Sequence, residues 1–221
     1  EAFSQWVIED KFAGPRPQWE NVGAELVGDV APYEAAKLRM LNGAHSALAY
    51  LGLEHGHAFV HQAVGDPAIR PLIERLMHEE AQPTIKAAPG QDLQAYADAL
   101  LARFANPALQ HRLIQIAMDG SQKIPQRWLE TLAANQEKGL QCPAILTALA
   151  AWLRHVRGDN AAKWGPVDDP MAARLADIWR DEGVDGTPRA LFGAQGLFAK
   201  TWQASEADFA ALAQRLARAT A

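Results

Sequence analysis

The chain has 221 residues, room for one large domain or two small ones. Lys and Arg number 21 against 26 Asp and Glu, a formal charge of −5, and that mild acidity disfavours a general nucleic-acid binder, which needs a basic surplus. Hydrophobic residues are 49% and charged residues 21%, an ordinary globular balance, and no apolar run reaches the ~18 residues needed to span a bilayer.

The opening Glu1-Ala2-Phe3 carries neither Met nor signal peptide and reads as the edge of an excised domain or a processed N-terminus. Residues 1–30 are the least helical part. Ser4 to Ile8 reads as one short strand, Gly14-Pro15-Arg16-Pro17 as a loop, and Glu25 to Val27 as a second strand. From Pro32 onward the pattern is helical. Pro32 suits a first helical position, and that helix runs to about Leu51, stopping near Gly52 or Gly56. Asp66-Pro67 reads as the start of a second, with Pro71 shifting its regular part a turn later. Leu93 to Phe104 is a third. Pro107 opens a fourth through Ala117, Pro125 a fifth, and Pro143 a sixth whose apolar stretch Ile145 to Val156 predicts a central position. Later helices are expected at Met171–Arg180, Pro188–Phe192 and Ser205–Ala219, the last with Ser205 as N-cap. The expected class is mainly α, a compact multihelical domain with short strands near the N-terminus. The expected division is a strand-containing linker over 1–30 and a helical domain over 31–221.

The chemistry concentrates in Lys37-Leu38-Arg39-Met40-Leu41-Asn42-Gly43-Ala44-His45. This stretch lies in a helix apolar nearly all round, which predicts burial, so polar residues inside it need partners or a cavity. Asn42 and His45 are three apart and share a face. Helical side chains lean toward the N-terminus, so both lean back toward Lys37, and the three can line one wet pocket. In that case Lys37 is a general base, while Asn42 and His45 hold a substrate oxygen. The alternative has Lys37 reaching solvent while the other two satisfy nearby backbone.

Asp119-Gly120-Ser121 is a turn that brings Lys123 to the mouth of the next helix. With His111, Arg112 and Arg127, Lys123 makes a basic cluster in an acidic chain, able to hold a carboxylate or polyol or simply to form a solvated helix face. His55, His57 and His61 raise a metal site, but Glu54 and Asp66 complete no ligand pattern, and no metal is expected. The single cysteine, Cys142, cannot form an internal disulfide; it reads as a small buried apolar residue and suits a reducing, cytoplasmic compartment. The seven tryptophans read as core and interface anchors. There is no glycine-rich dinucleotide fingerprint, Walker-type loop or nucleophile elbow.

At these residues the sequence resembles the C-terminal domain of the polyol-specific long-chain dehydrogenases, which include mannitol 2-dehydrogenase and fructuronate reductase. The likeness spans essentially the whole chain, from Phe3-Ser4-Gln5-Trp6-Val7-Ile8-Glu9-Asp10 through Pro32-Tyr33-Glu34, the Lys37 to Ser46 segment, Ala49-Tyr50-Leu51-Gly52, Asn106-Pro107-Ala108-Leu109 and Asp119-Gly120-Ser121. Lysine, five on to asparagine, three on to histidine resembles the family's catalytic signature. The resemblance implies a helical domain similar to that of 6-phosphogluconate dehydrogenase. It also implies NAD or NADP without a catalytic metal, and an N-terminal Rossmann domain as partner within the same parent chain. It makes Lys37 the base that takes the hydroxyl proton, Asn42 the residue that orients the oxygen, and His45 the one that binds a neighbouring hydroxyl. Lys123 resembles a lysine lining the substrate pocket.

The run from His111-Arg112 through Gln115 to Lys123 looks closest to the fructuronate reductases. Mannitol dehydrogenases carry an arginine where this chain has Gln115, and Arg112, one turn earlier, is expected to face the same pocket. A guanidinium suits a uronate carboxylate. The expected reaction is therefore D-mannonate/D-fructuronate interconversion, with mannitol/fructose as the alternative. Outside enzymes, a non-catalytic sugar-acid-binding module fits the same residues.

Overall fold

The computed structural model describes residues 5–217. The expected strand start at Ser4, the residues before it and the expected helix end beyond 217 lie outside the described residues. Two strands, β1 (Trp6–Glu9) and β2 (Ala24–Val27), pair in parallel with Trp6 opposite Ala24. A short 3-10 turn at Trp19–Val22 joins them. Among the described residues after Val30 there are only helices, connecting loops and one isolated bridge, so the chain is mainly α, as its pattern predicts.

The first rod is α1 (Ala31–Ala36) and α2 (Gly43–Glu54), fused through a π-helical segment at Lys37–Asn42. From Gly43 to Leu53 all of its residues but His45 are buried, which makes α2 the axis of the domain. Around α2 pack α3 (Val60–Gly65), α6 (Leu113–Ala117) and α9 (Pro143–Arg157). At Gly52 a Cβ would stand 2.5 Å from Leu113 Cδ1 and 2.8 Å from Ala63 Cβ, so only glycine lets α3 and α6 close on α2. The remaining helices are α4 (Arg70–Arg75), α5 (Leu93–Phe104), α7 (Gly120–Ile124), α8 (Glu130–Gln136), α10 (Ala161–Trp164), α11 (Ala172–Phe192) and α12 (Glu206–Ala217).

Several boundaries follow the sequence closely. α5 spans the expected Leu93–Phe104, with the Asp92 carboxylate accepting the Ala95 N–H at 2.9 Å. Helix α4 begins at Arg70 with Pro71 in its first turn, so Pro71 does delay the helix. Ser205 caps α12 by accepting the Asp208 N–H. Two expectations need correction. Pro107 opens no helix: residues 107–112 form turns and an isolated antiparallel bridge between Arg112 and Phe59, and α6 starts only at Leu113. Pro125 starts no helix either; it sits inside a continuous rod from Gly120 to Gln136, widened there to a π segment at Pro125–Leu129. A wider turn accommodates a ring that lacks an N–H and would clash with the carbonyl four residues back. The helices expected at Met171–Arg180 and Pro188–Phe192 are indeed two: within α11 the backbone leaves the helical region at Gly183 (φ 65°, ψ −165°) and separates them, with Pro188 inside the second rather than at its start.

Helix α9 is central, as its apolar stretch predicts. Its N-terminus is capped from another element: the buried Glu80 carboxylate accepts the N–H groups of Ala144 and Ile145, both at 2.8 Å. Burial pushes the Glu80 carboxyl up, against the pull of those two N–H groups. Near its other end, Arg154 donates to both oxygens of Glu54 on α2 (2.6 and 2.8 Å) and to the Arg215 carbonyl on α12. Cys142, just before α9, is buried, and burial pushes its thiol up to about 12. Among the described residues no helix is long and apolar enough to cross a membrane.

Candidate functional site

The site is built where two π segments meet. The rod carrying Lys37–Asn42 packs against the rod carrying Pro125–Leu129. In an α-helix residues three and four apart share a face, whereas a π turn closes at five. Lys37 and Asn42 are five apart and bound the first π segment, so the widened turn brings both to one side. His45 follows three residues later in regular α2 and continues that side. Periodicity arguments that assume an α-helix throughout miss this, because a π turn leaves no mark in an apolar pattern.

The three residues have different surroundings. Lys37 is exposed, contrary to the burial expected of its helix, because it stands where the rod emerges from the core. Asn42 is half-buried, and its main-chain oxygen accepts from Arg127 Nη1 at 3.5 Å. His45 stacks on Phe104 with ring centroids 4.6 Å apart, and His111 meets its ring edge at 6.0 Å. Its Nε2 is sealed from solvent and has no hydrogen-bond partner among the described residues. Burial, and then the positive neighbours His111, Arg103 and Arg127, depress the His45 imidazole to about 4, so it is neutral at neutral pH. A neutral imidazole with a free nitrogen is suited to binding a hydroxyl.

The second rod supplies Lys123 and Arg127. Asp119 adopts a left-handed conformation (φ 56°), and its N–H donates to the Asp168 carbonyl at 3.0 Å. Gly120 then passes so close to α2 and α9 that a Cβ would lie 2.5 Å from Tyr50 Oη and 2.6 Å from Trp152 Nε1. The Asp169 carboxylate clamps the start of α7, accepting the Ser121 N–H at 2.7 Å and its hydroxyl at 2.5 Å. So fixed, α7 holds Lys123 with Nζ donating to the Met118 carbonyl at 2.5 Å and 3.8 Å from Asp119. Burial, then Arg127, push the Lys123 ammonium below its ordinary range. One turn on, Arg127 Nη1 donates to Ser46 Oγ at 2.7 Å, and Trp128 Nε1 to the Gly43 carbonyl at 3.1 Å. The contribution of Asp169, 48 residues beyond Ser121, has no signal in sequence spacing.

The remaining candidates sit at the rim. His111 is exposed beside His45, and its carbonyl accepts the Val60 N–H. Arg112 and Gln115 are both exposed. Arg112 is not one helical turn before Gln115, as expected, because its backbone is extended (φ −78°, ψ 127°) and bridged to Phe59. His55 Nδ1 and His57 Nε2 both approach one Asp66 oxygen, at 3.1 and 2.8 Å, and hydrogen bonding, chiefly from His57, holds that carboxyl at about 2. His61 stacks on Phe59. Among the described residues no three His, Cys, Asp or Glu side chains are grouped to hold a metal ion.

Among the described residues the only parallel strand pair, β1 and β2, is joined by a loop and a 3-10 turn, with no glycine-rich phosphate turn opening a helix to cradle a dinucleotide. The described residues therefore do not fit a dinucleotide by themselves.

The family model described as the mannitol dehydrogenase C-terminal domain matches residues 29–218. D-mannonate oxidoreductase of Escherichia coli is 45% identical over 201 residues, which cover 90% of this chain and 41% of that protein. Mannitol 2-dehydrogenase of Phaeosphaeria nodorum is 40% identical over 179 residues, 79% of this chain and 32% of its own length. The chain thus spans about two fifths or less of these curated relatives. Among solved structures, Pseudomonas fluorescens mannitol 2-dehydrogenase in ternary complex with NAD and D-mannitol superposes with a TM-score of 0.83 at 31% identity, covering 97% of this chain and 43% of that one. On the matched residues and the shared fold, the chain belongs to the mannitol dehydrogenase C-terminal domain family.

Proposed function

We propose that this chain is the substrate-binding and proton-transfer part of an NAD-type dehydrogenase that interconverts D-mannonate and D-fructuronate. The observation that carries the reading is the sealed, unpartnered Nε2 of His45, one turn after Asn42, on the side to which the π segment turns Lys37. A buried nitrogen without a partner costs free energy, and a substrate hydroxyl would satisfy it.

In this reading residues 31–221 are the catalytic part and residues 1–30 the connection to a nucleotide-binding domain. Hydride chemistry then belongs to a dinucleotide held outside the described residues. His45 accepts or donates one hydrogen bond to a hydroxyl, Asn42 orients the reacting oxygen, and Lys37 Nζ takes the hydroxyl proton. Lys37 is exposed here, so the enclosure that a general base needs would come from the remainder of a longer protein, as the greater length of the relatives allows. In this reading Lys123, which donates to the Met118 carbonyl, also contacts the substrate, and the exposed His111, Arg112 and Gln115 flank it.

The likeness to D-mannonate oxidoreductase favours the sugar acid. Mannitol/fructose oxidoreduction is the second reading, favoured by the likeness to an enzyme solved with D-mannitol. The test is Lys37→Ala in the full-length protein. Turnover falls by about 10²–10⁴-fold, the usual contribution of a positioned base, with the circular dichroism spectrum unchanged. Full activity in that variant overturns the assignment of Lys37.

A further inference from the structure

We propose that Arg127 is the residue that reads the substrate's carboxylate. This goes beyond the family assignment and rests on the dehydrogenase reading above. Arg127 is half-buried at the junction of the two π segments, and its one directed hydrogen-bond donor is Nη1. Both acceptors of that nitrogen, Ser46 Oγ at 2.7 Å and the Asn42 carbonyl at 3.5 Å, are neutral. Among the described residues no carboxylate lies within ion-pair distance of this guanidinium, whereas the buried Arg154 is answered by Glu54. A half-buried cation without a counter-ion is costly, and proteins keep one where a ligand supplies the charge.

The unspent donors point to the ligand's shape. Nε and Nη2 form one forked edge of the guanidinium, the geometry that grips a carboxylate with two parallel hydrogen bonds. Neither is among the nitrogen atoms sealed from solvent without a partner, so the edge keeps access to open space. Nearby acids are already engaged. Asp169 is spent on Ser121 and the Met171 N–H, and Asp119 lies 3.8 Å from Lys123. The field around Arg127 is positive, with Lys123 and His45 both feeling its charge. Ser46, which accepts from Arg127, stands one turn after Asn42 and next to His45 on the facing rod, so a carboxylate at Arg127 lies beside the proposed hydroxyl-binding residues. Arg112, exposed at the Phe59 bridge, has no such setting.

D-mannonate and D-mannitol differ only in a carboxylate against a hydroxymethyl group, so their oxidation separates this role from a structural one. In the full-length enzyme, Arg127→Gln should lower the ratio of kcat/KM for D-mannonate over D-mannitol by about 100-fold, mainly through KM, as expected for loss of a bidentate charged contact. Arg127→Lys should restore part of the ratio through its charge. Equal losses on both substrates overturn the proposal, because a brace through Ser46 and Asn42 serves either one. Should Arg127→Gln fail to fold, the unmodified enzyme still decides: D-mannonamide should inhibit at least 50-fold more weakly than D-mannonate, and equal inhibition overturns the proposal. Unmodified enzyme that oxidises D-mannitol as readily as D-mannonate overturns the carboxylate role and leaves the dehydrogenase reading intact. Enzyme that oxidises neither overturns both.

Discussion

The rod Ala31–Glu54 and helix α9 run through the same core, and they are built on different plans. Helix α9 is regular from Pro143 to Arg157, opened by a proline at its first turn, capped by Glu80 and closed by basic residues that suit its C-terminal dipole. Its charged side chains are answered within the fold, Arg154 by Glu54 and Arg157 by Asp159, while Trp152 Nε1 and His155 Nδ1 are buried without a hydrogen-bond partner among the described residues. The Ala31–Glu54 rod breaks its period at Lys37–Asn42 and leaves an exposed lysine, a half-buried asparagine and an unpartnered histidine nitrogen beside the break. The regular helix pairs its charged groups, and the interrupted one carries the residues proposed for chemistry. The Pro125–Leu129 rod repeats the second plan, with Arg127 bonded to neutral acceptors and without a carboxylate partner among the described residues.

The sharpest way to break this contrast is to remove the charge pairing that α9 completes. Glu54→Ala strands Arg154 in the core with only the Arg215 carbonyl, and urea unfolding should show a loss of about 3–5 kcal/mol. Replacing both partners together, Glu54→Leu with Arg154→Met, should recover most of it, since two apolar groups leave no buried charge. A loss as large in the double variant as in the single one would mean that the pair holds α2 and α9 by more than mutual neutralisation.

Next in size is the pH response of the interrupted rod. His45 has its imidazole depressed from 6.5 to about 4 in the folded chain. A group with a lowered folded pKa leaves the unfolded state binding more protons, so its contribution is complete above pH 6.5 and is lost as pH falls toward 4. The span corresponds to roughly 3 kcal/mol as an upper figure. His45→Asn should flatten the acid limb of stability in that window. An unchanged limb would show that the ring is solvated when it protonates.

Much of the helical plan was legible because burial imposes a period. The Leu93–Phe104 helix, the apolar run of α9 and the Ser205 cap are each local in cause: a stripe, a run and an N-cap oxygen. The failures share a different cause. Pro125 reads as a helix start because a proline normally ends the ladder behind it, yet neighbouring elements stabilise a wider turn that lets the rod continue. Arg112 reads as helical because Pro107 precedes it, yet the bridge to Phe59, distant in sequence, holds it extended. Lys37, Asn42 and His45 stand out in the sequence as a candidate group from their types and spacing. The π segment that gives a five-residue spacing its meaning leaves no mark there. Arg127 is visible in the sequence only as one charge in a basic cluster; what sets it apart is partial burial with no acid within reach among the described residues, and that is a three-dimensional fact.

The smallest effect expected concerns the contact that joins the two interrupted rods. Ser46 is buried at 1% exposure, and its hydroxyl is the closest acceptor that Arg127 has. Ser46→Ala removes one hydrogen bond to a charged donor and leaves the guanidinium with the 3.5 Å contact to Asn42. The expected cost is about 1–2 kcal/mol in urea unfolding, less than breaking a buried ion pair because Nη1 can turn toward solvent. The variant also separates two jobs that Arg127 could have. If the guanidinium only braces the rods, Arg127→Gln should cost at least as much stability as Ser46→Ala and should lower the turnover of charged and uncharged substrates alike. If its forked edge is kept for a ligand, Ser46→Ala should cost that modest stability while discrimination between charged and uncharged substrates stays with Arg127, so that the two variants divide by readout.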